Sequence, residues 1–180
     1  MPQEFYHMNI AGCERDLPIC PISDTLSIAG FVMFGDVEVT VAAAKELLKK
    51  CPEHDIILTA ESKGIPIGYE MAKQGCGKYI VARKGVKAYM TNPVSVEVKS
   101  ITTAKVQTLI LSEEDAEALR DKRVLIVDDV ISTGESLLAL EALLDKCGAK
   151  AVGKAAVLAE GDAADRDDII FLEKLPLFFK

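Results

Sequence analysis

Val41, Ala44, Leu47 and Leu48 recur at helical spacing and predict a helix from about Val39 to Lys50. The run from Asp55 to Ala60 follows as a buried strand. After a turn at Glu61–Gly64 the pattern predicts a helix near Ile67–Gln74, then a strand at Tyr79–Ala82. Val94–Val98 and Val106–Ile110 alternate like two strands of a hairpin. The small, polar stretch between them, Ser100–Ala104, predicts a mobile tip. An acidic helix at Glu113–Leu119 precedes Val124–Val127, a continuous apolar run of the kind found in central parallel strands. Glu135–Lys146 is amphipathic and ends at Gly148, a C-cap signal; Ala151–Leu158 is a further strand. Residues 1–30 hold Pro2, Pro18 and Pro21 and read as irregular.

Strands that alternate with helices imply an α/β fold, with a central, mostly parallel sheet flanked by helices. In such sheets ligands bind beyond the carboxyl ends of the strands. The turns after Ala60, Ala82 and Val127 all belong to that edge.

Composition narrows the function classes. The 180 residues suit one domain, with 49% hydrophobic and 27% charged positions. No apolar run approaches the roughly 20 residues that span a bilayer. The first residues include Glu4 and Asn9 and lack the basic start and apolar run of a secretory signal. A net charge of −7 argues against nucleic acid as a partner. The five cysteines, Cys13, Cys20, Cys51, Cys76 and Cys147, have no CxxC spacing, and there are two histidines. Zinc is not expected, and a scattered odd set of thiols fits a reduced, cytoplasmic protein.

The chemistry concentrates at Val124–Ser136. A buried strand runs into Asp128 and Asp129, a pair costly to bury without partners. Their carboxylates can accept hydrogen bonds from vicinal hydroxyls, and one can approach a divalent cation. Ser132-Thr133-Gly134-Glu135-Ser136 follows at a helix start. Gly134 permits a tight turn, whose backbone N–H groups point at one spot and are reinforced by the positive end of the helix. The hydroxyls of Ser132, Thr133 and Ser136 add donors. Acceptors for ribose hydroxyls beside a phosphate cradle describe a ribose phosphate site. The plainer alternative is a helix cap with aspartates that bind water. No Gly-Lys-Ser/Thr follows, so the loop is not a Walker loop.

This segment resembles the signature of type I phosphoribosyltransferases, which bind 5-phosphoribosyl-1-pyrophosphate (PRPP). The resemblance runs from about Phe31 to Phe179 and is strongest to adenine and xanthine phosphoribosyltransferases and to the phosphoribosyltransferase-like domain of purine-operon repressors. It implies the family fold, with a hood built from 1–36 and 170–180 and a mobile hairpin at about 86–110. Glu61-Ser62-Lys63-Gly64 resembles the pyrophosphate loop, usually acidic-Ser-Arg-Gly, which in the family holds a non-proline cis peptide. Alone, those four residues would be any strand-to-helix turn. Arg83-Lys84-x-x-Lys87 resembles the basic segment that contacts the leaving pyrophosphate; its plainer reading is a solvated charge run. Met33-Phe34-Gly35-Asp36 is similar to the hood segment Val-Phe-Arg-Asp, whose phenylalanine stacks on the purine and whose backbone reads the base edge. Phe34 as ordinary core is the alternative. Leu175-Pro176-Leu177-Phe178-Phe179 is similar to the end of adenine enzymes.

The resemblance implies transfer of the phosphoribosyl group of PRPP to a purine, adenine first, with Mg2+ and in a homodimer. Asp128, Asp129, Lys63 and Arg83 would carry the reaction, with Asp128 and Asp129 near the metal, mostly through PRPP. The hood arginine is replaced by Gly35, and the hairpin glutamate of adenine enzymes by a position near Thr102. Xanthine enzymes and repressor domains also lack that glutamate. A xanthine-type enzyme and a non-catalytic sensor of PRPP or nucleotide are therefore the competing expectations. The stretch before Phe31 leaves no room for the repressor's winged helix, so DNA binding by this chain is not expected.

Overall fold

The computed structural model describes residues 3–99 and 106–180. Its centre is a parallel sheet of five strands in the order β10-β9-β8-β4-β5. These are β4 (Ile56–Ala60), β5 (Tyr79–Ala82), β8 (Arg123–Ile131), β9 (Lys150–Glu160) and β10 (Ile170–Leu175). On one face α1 (Val37–Lys50) and α2 (Ile65–Gln74) pack through Val39, Ala43, Leu47, Ile67 and Met71 onto Ile57, Leu125 and Val127. On the other, α4 (Glu135–Cys147) buries Leu137, Leu140, Leu143 and Leu144 against Leu58, Ile126 and Ala156, with α3 (Glu113–Leu119) beside it. Adjacent residues in β8 serve opposite cores, Val124 and Ile126 one and Leu125 and Val127 the other, because successive strand side chains alternate.

Elements with a strong period fall where the pattern placed them. Tyr79–Ala82 and Glu113–Leu119 coincide with the structure, and α1 and α2 each begin two residues earlier than expected. The Asp36 side chain accepts from Val39 N–H and sets the start of α1. Gly148, at φ 70°, closes α4 with its N–H on the Asp145 and Leu144 carbonyls.

The expectation of an irregular N-terminus is wrong. β1 (Phe5–Ile10), β2 (Cys13–Pro21) and β3 (Leu26–Ala29) form an antiparallel sheet with β11 (Leu177–Phe179). Alternating burial of Met8 and Ile10, with Cys13 and Leu17, supplies its inner face. Pro18 and Pro21 sit at ladder ends, opposite Phe5 and Ser27, where a missing N–H is tolerated. The C-terminal stretch assigned to the hood divides. Residues 170–175 pair with β9 in the parallel sheet, and only 177–179 join β3.

β6 (Val94–Lys99) and β7 (Val106–Leu111) form the antiparallel hairpin, bridged to the central sheet by Arg83 opposite Ile110. Val94, Val96 and Val98 pack against the core beside α4. The tip 100–105, with Thr102, lies outside the described residues.

Candidate functional site

The site forms where β4, β5 and β8 reach one edge. Ala60 lies opposite Ala82, and Leu58 opposite Ile126, so the turns after β4 and β5 meet β8 near Asp128. The aspartates do not end the strand as expected. β8 continues along β9 to Ile131, pairing Asp128 with Ala156 and Val130 with Leu158. The pair therefore sits within β8, just past the end of β4, where a gap opens beside it.

A cavity of about 240 Å3 occupies that gap, lined by Glu61, Ser62, Lys63, Lys84, Asp128, Asp129 and Ser136 among others. A second, of about 130 Å3, is lined by Asp128, Val130 and the run Ile131–Leu137, which includes Ser132, Thr133, Gly134 and Glu135. The two share Asp128, Val130 and Ser136. One compartment is thus acidic and basic together, and the other is an amide- and hydroxyl-rich turn at the mouth of α4.

Burial decides the electrostatics of the acid pair. Asp129 is 3% exposed, and its Oδ2 has no hydrogen-bond partner; Lys63 Nζ stands 3.7 Å away as an ion pair. Asp128 is pushed up to about 7, first by burial and then by the neighbouring Asp129. Asp129 N–H donates to Asp128 Oδ1 at 2.9 Å. A buried carboxylate oxygen without a donor keeps an unused acceptor, and Asp129 lines the cavity, which suits a ligand hydroxyl. Two carboxylates also suit Mg2+, which is held by one or two carboxylates together with substrate phosphates. Among the described residues no cluster of three or more His, Cys, Asp or Glu forms a protein-only metal cage.

The Glu61–Gly64 turn is built tightly. The Glu61–Ser62 peptide is cis. A Cβ at Gly64 would lie 2.3 Å from Thr59 Oγ1 and 2.9 Å from Asp128 Oδ1, so only glycine lets this turn approach β8. Glu61 accepts from Lys84 N–H at 3.0 Å and from Arg83 Nη2 at 3.3 Å, and these donors hold its carboxyl below the usual range.

The basic segment divides in role. Lys84 lines the larger cavity, whereas Arg83 turns to Glu61 and Tyr89 Oη, and Lys87 lines neither compartment. Arg83 thus ties the two basic turns together from behind. Phe34 is 53% exposed, so it is not core. Met33 and Gly35 instead line a third, mostly apolar cavity with Val37, Val41, Pro66 and Tyr69. Asp36 is held by Arg15, with Nε on Oδ2 at 2.7 Å and Nη2 on Oδ1 at 3.0 Å.

Two contributors escaped sequence reasoning. Gln107 on β7 lines the larger cavity and donates to Ser136. Arg166, locked in a two-pronged pair with Asp168, stands where a Cβ at Gly134 would lie 2.5 Å from its Nη1. Gly134 also has φ 80°, a conformation that favours glycine, and the Arg166 guanidinium would have to shift to admit any side chain there. Neither contributor carries a local signal, because each reaches the site only through tertiary folding.

The phosphoribosyl transferase domain family matches residues 35–175. The chain belongs to that family. Relatives include a hypoxanthine/guanine phosphoribosyltransferase of Methanococcus voltae, 31% identical over 82% of this chain and 73% of its own. An adenine phosphoribosyltransferase of Brachyspira hyodysenteriae is 33% identical over 68% of each. The purine biosynthesis transcriptional repressor PurR of Bacillus subtilis is 29% identical over 63% of this chain, which spans only 39% of the repressor's length. The solved adenine phosphoribosyltransferase of Thermoanaerobacter pseudethanolicus superposes with a TM-score of 0.65 at 20% identity, covering 95% of both chains. The fold is therefore that of the type I phosphoribosyltransferases, as the resemblance implied.

Proposed function

We propose that the protein transfers the 5-phosphoribosyl group of PRPP to a purine base, adenine first, and releases pyrophosphate. The observation that carries this reading is the sharing of Asp128 and Ser136 between two compartments, one with Lys63 and Lys84, the other at the mouth of α4. A sugar bearing a phosphate at one end and a pyrophosphate at the other matches that layout. The relatives named as adenine and hypoxanthine/guanine phosphoribosyltransferases support a purine acceptor.

In this reading the Ser132–Ser136 turn holds the 5-phosphate with backbone N–H groups and hydroxyls. Asp128 and Asp129 accept from the ribose hydroxyls. Lys63 and Lys84 face the pyrophosphate, with Ser62 and the Gly64 backbone beside it, while Glu61 and Arg83 brace the turn. Lys87 completes the positive field at longer range. The purine nitrogen forms a bond to C1 as the bond to pyrophosphate breaks, through a transition state with positive charge on the ribose ring. The residues contribute positioning and charge stabilisation and no covalent intermediate. Asp128 and Asp129 would help hold Mg2+ brought in with PRPP, and the ion would supply positive charge for the leaving pyrophosphate. Met33, Phe34 and Gly35 offer the base a ring and backbone groups.

The exposed Val37, Val41 and Tyr69, continuous with the apolar third cavity, support a second copy of this chain as partner. A cytoplasmic location fits five free thiols and the finding that no described helix is long and apolar enough to cross a membrane.

A panel of purine and pyrimidine bases incubated with PRPP and magnesium tests the reading. Pyrophosphate release with a purine is expected. PRPP binding without turnover of any base would replace it with the sensor reading, which the similarity to PurR favours.

A further inference from the structure

The strand β7 sends one side chain into the site from outside the parallel sheet. Gln107 lines the larger cavity beside Lys84, Asp128, Asp129 and Ser136. Its Nε2 donates to Ser136 Oγ at 3.3 Å, linking the hairpin to the first turn of α4 across 29 residues of sequence. A hydroxyl carries one proton and two acceptor lone pairs. A hydroxyl that accepts from Gln107 keeps its own proton for another acceptor. Ser136 borders both compartments, so that proton is available to a ligand oxygen at the mouth of α4.

The hairpin is independently anchored. Arg83 and Ile110 exchange backbone hydrogen bonds at 2.8 Å, and Lys146 Nζ donates to the Ser95 carbonyl at 2.7 Å. Valines 94, 96 and 98 pack into the core below. The Gln107–Ser136 bond is therefore not needed to keep β7 in place. Its location, inside the cavity at the junction of the compartments, points to the ligand.

We propose that Gln107 is a positioning residue for the 5-phosphate end of the ligand: it fixes the Ser136 hydroxyl as a donor and couples strand β7 to the phosphate-holding turn. This rests on the ribose phosphate reading above and names a part of that site which the sequence motifs do not contain.

The test is calorimetric binding of two probes, ribose 5-phosphate and magnesium pyrophosphate, to wild type, Q107A, Q107E, S136A and the Q107A/S136A double variant. Gln107→Ala weakens ribose 5-phosphate roughly fivefold, the scale of one net hydrogen bond, and leaves pyrophosphate unchanged. Gln107→Glu weakens ribose 5-phosphate further, because a carboxylate accepts the Ser136 proton and adds negative charge beside the phosphate. In the S136A background, Gln107→Ala has no further effect on ribose 5-phosphate. Equal losses for both probes, or an undiminished Gln107→Ala loss without Ser136, would show a hairpin support and overturn the proposal. If ribose 5-phosphate binding is unchanged in both Gln107 variants, the assignment falls while the ribose phosphate reading stands. Wild-type protein that binds ribose 5-phosphate not at all overturns that reading, and this assignment with it.

Discussion

Lys63 places its ammonium 3.7 Å from Oδ2 of the buried Asp129, so a turn after β4 supplies the cation facing an acid inside β8. The distance is too long for a hydrogen bond and leaves Oδ2 without a donor beside the cavity that both residues line. A ligand there would meet a hydroxyl acceptor on one side and an anion-binding cation on the other.

Lys63→Met should therefore raise KM for PRPP at least tenfold, because hydrogen bonds to charged groups contribute about 1.5–3 kcal/mol. Steady-state kinetics with varied PRPP, together with circular dichroism to confirm folding, measure this. An unchanged KM would place the pyrophosphate elsewhere.

The Asp128 carboxyl gives a signed pH dependence. Burial and Asp129 raise it to about 7 in the folded protein, above the ordinary carboxylate range. An acid whose folded value is raised binds more protons folded than unfolded in the interval between the two values. Its contribution to ligand-free stability is therefore favourable at low pH and is lost as pH rises from about 4 to about 7. Asp128→Asn removes this loss. The melting temperature of Asp128→Asn minus that of wild type should be larger at pH 7.5 than at pH 5. A difference that shrinks on going to pH 7.5 would contradict the assignment.

Gly64 and Gly85 form a matched pair for testing the turn. A Cβ at Gly64 meets Thr59 and Asp128, whereas at Gly85 it meets nothing within 4 Å. Gly64→Ala should destabilise by about 1–3 kcal/mol, the scale of overpacking, and abolish most PRPP binding. Gly85→Ala should stay within about 0.5 kcal/mol of wild type. Urea denaturation of the two variants makes the comparison, and equal stabilities would mean that the close approach of the turn to β8 is relaxed in solution.

The parts legible in sequence were those governed by local period or local chemistry. β5 and α3 carry clear patterns, and Asp128, Asp129 and the Ser132–Ser136 turn are contiguous, so their chemistry reads as one motif. Prolines hide the N-terminal sheet from a linear pattern, although Pro18 and Pro21 occupy ladder ends where no N–H is needed. The extension of β8 through Asp128 and Asp129 has no local signal, because charge normally marks a strand end, while pairing with β9 carries the backbone on to Ile131. Gln107 and Arg166 lie 29 and 32 residues from their partners Ser136 and Gly134, and nothing in a linear pattern joins them.

The acid pair is the centre of the account, and one titration addresses it. PRPP with magnesium is titrated calorimetrically into wild type and into the Asp128→Asn, Asp129→Asn double variant, with melting curves to verify that both are folded. A saturable heat is expected for wild type and none for the folded double variant. A folded double variant that binds PRPP as tightly as wild type would contradict it.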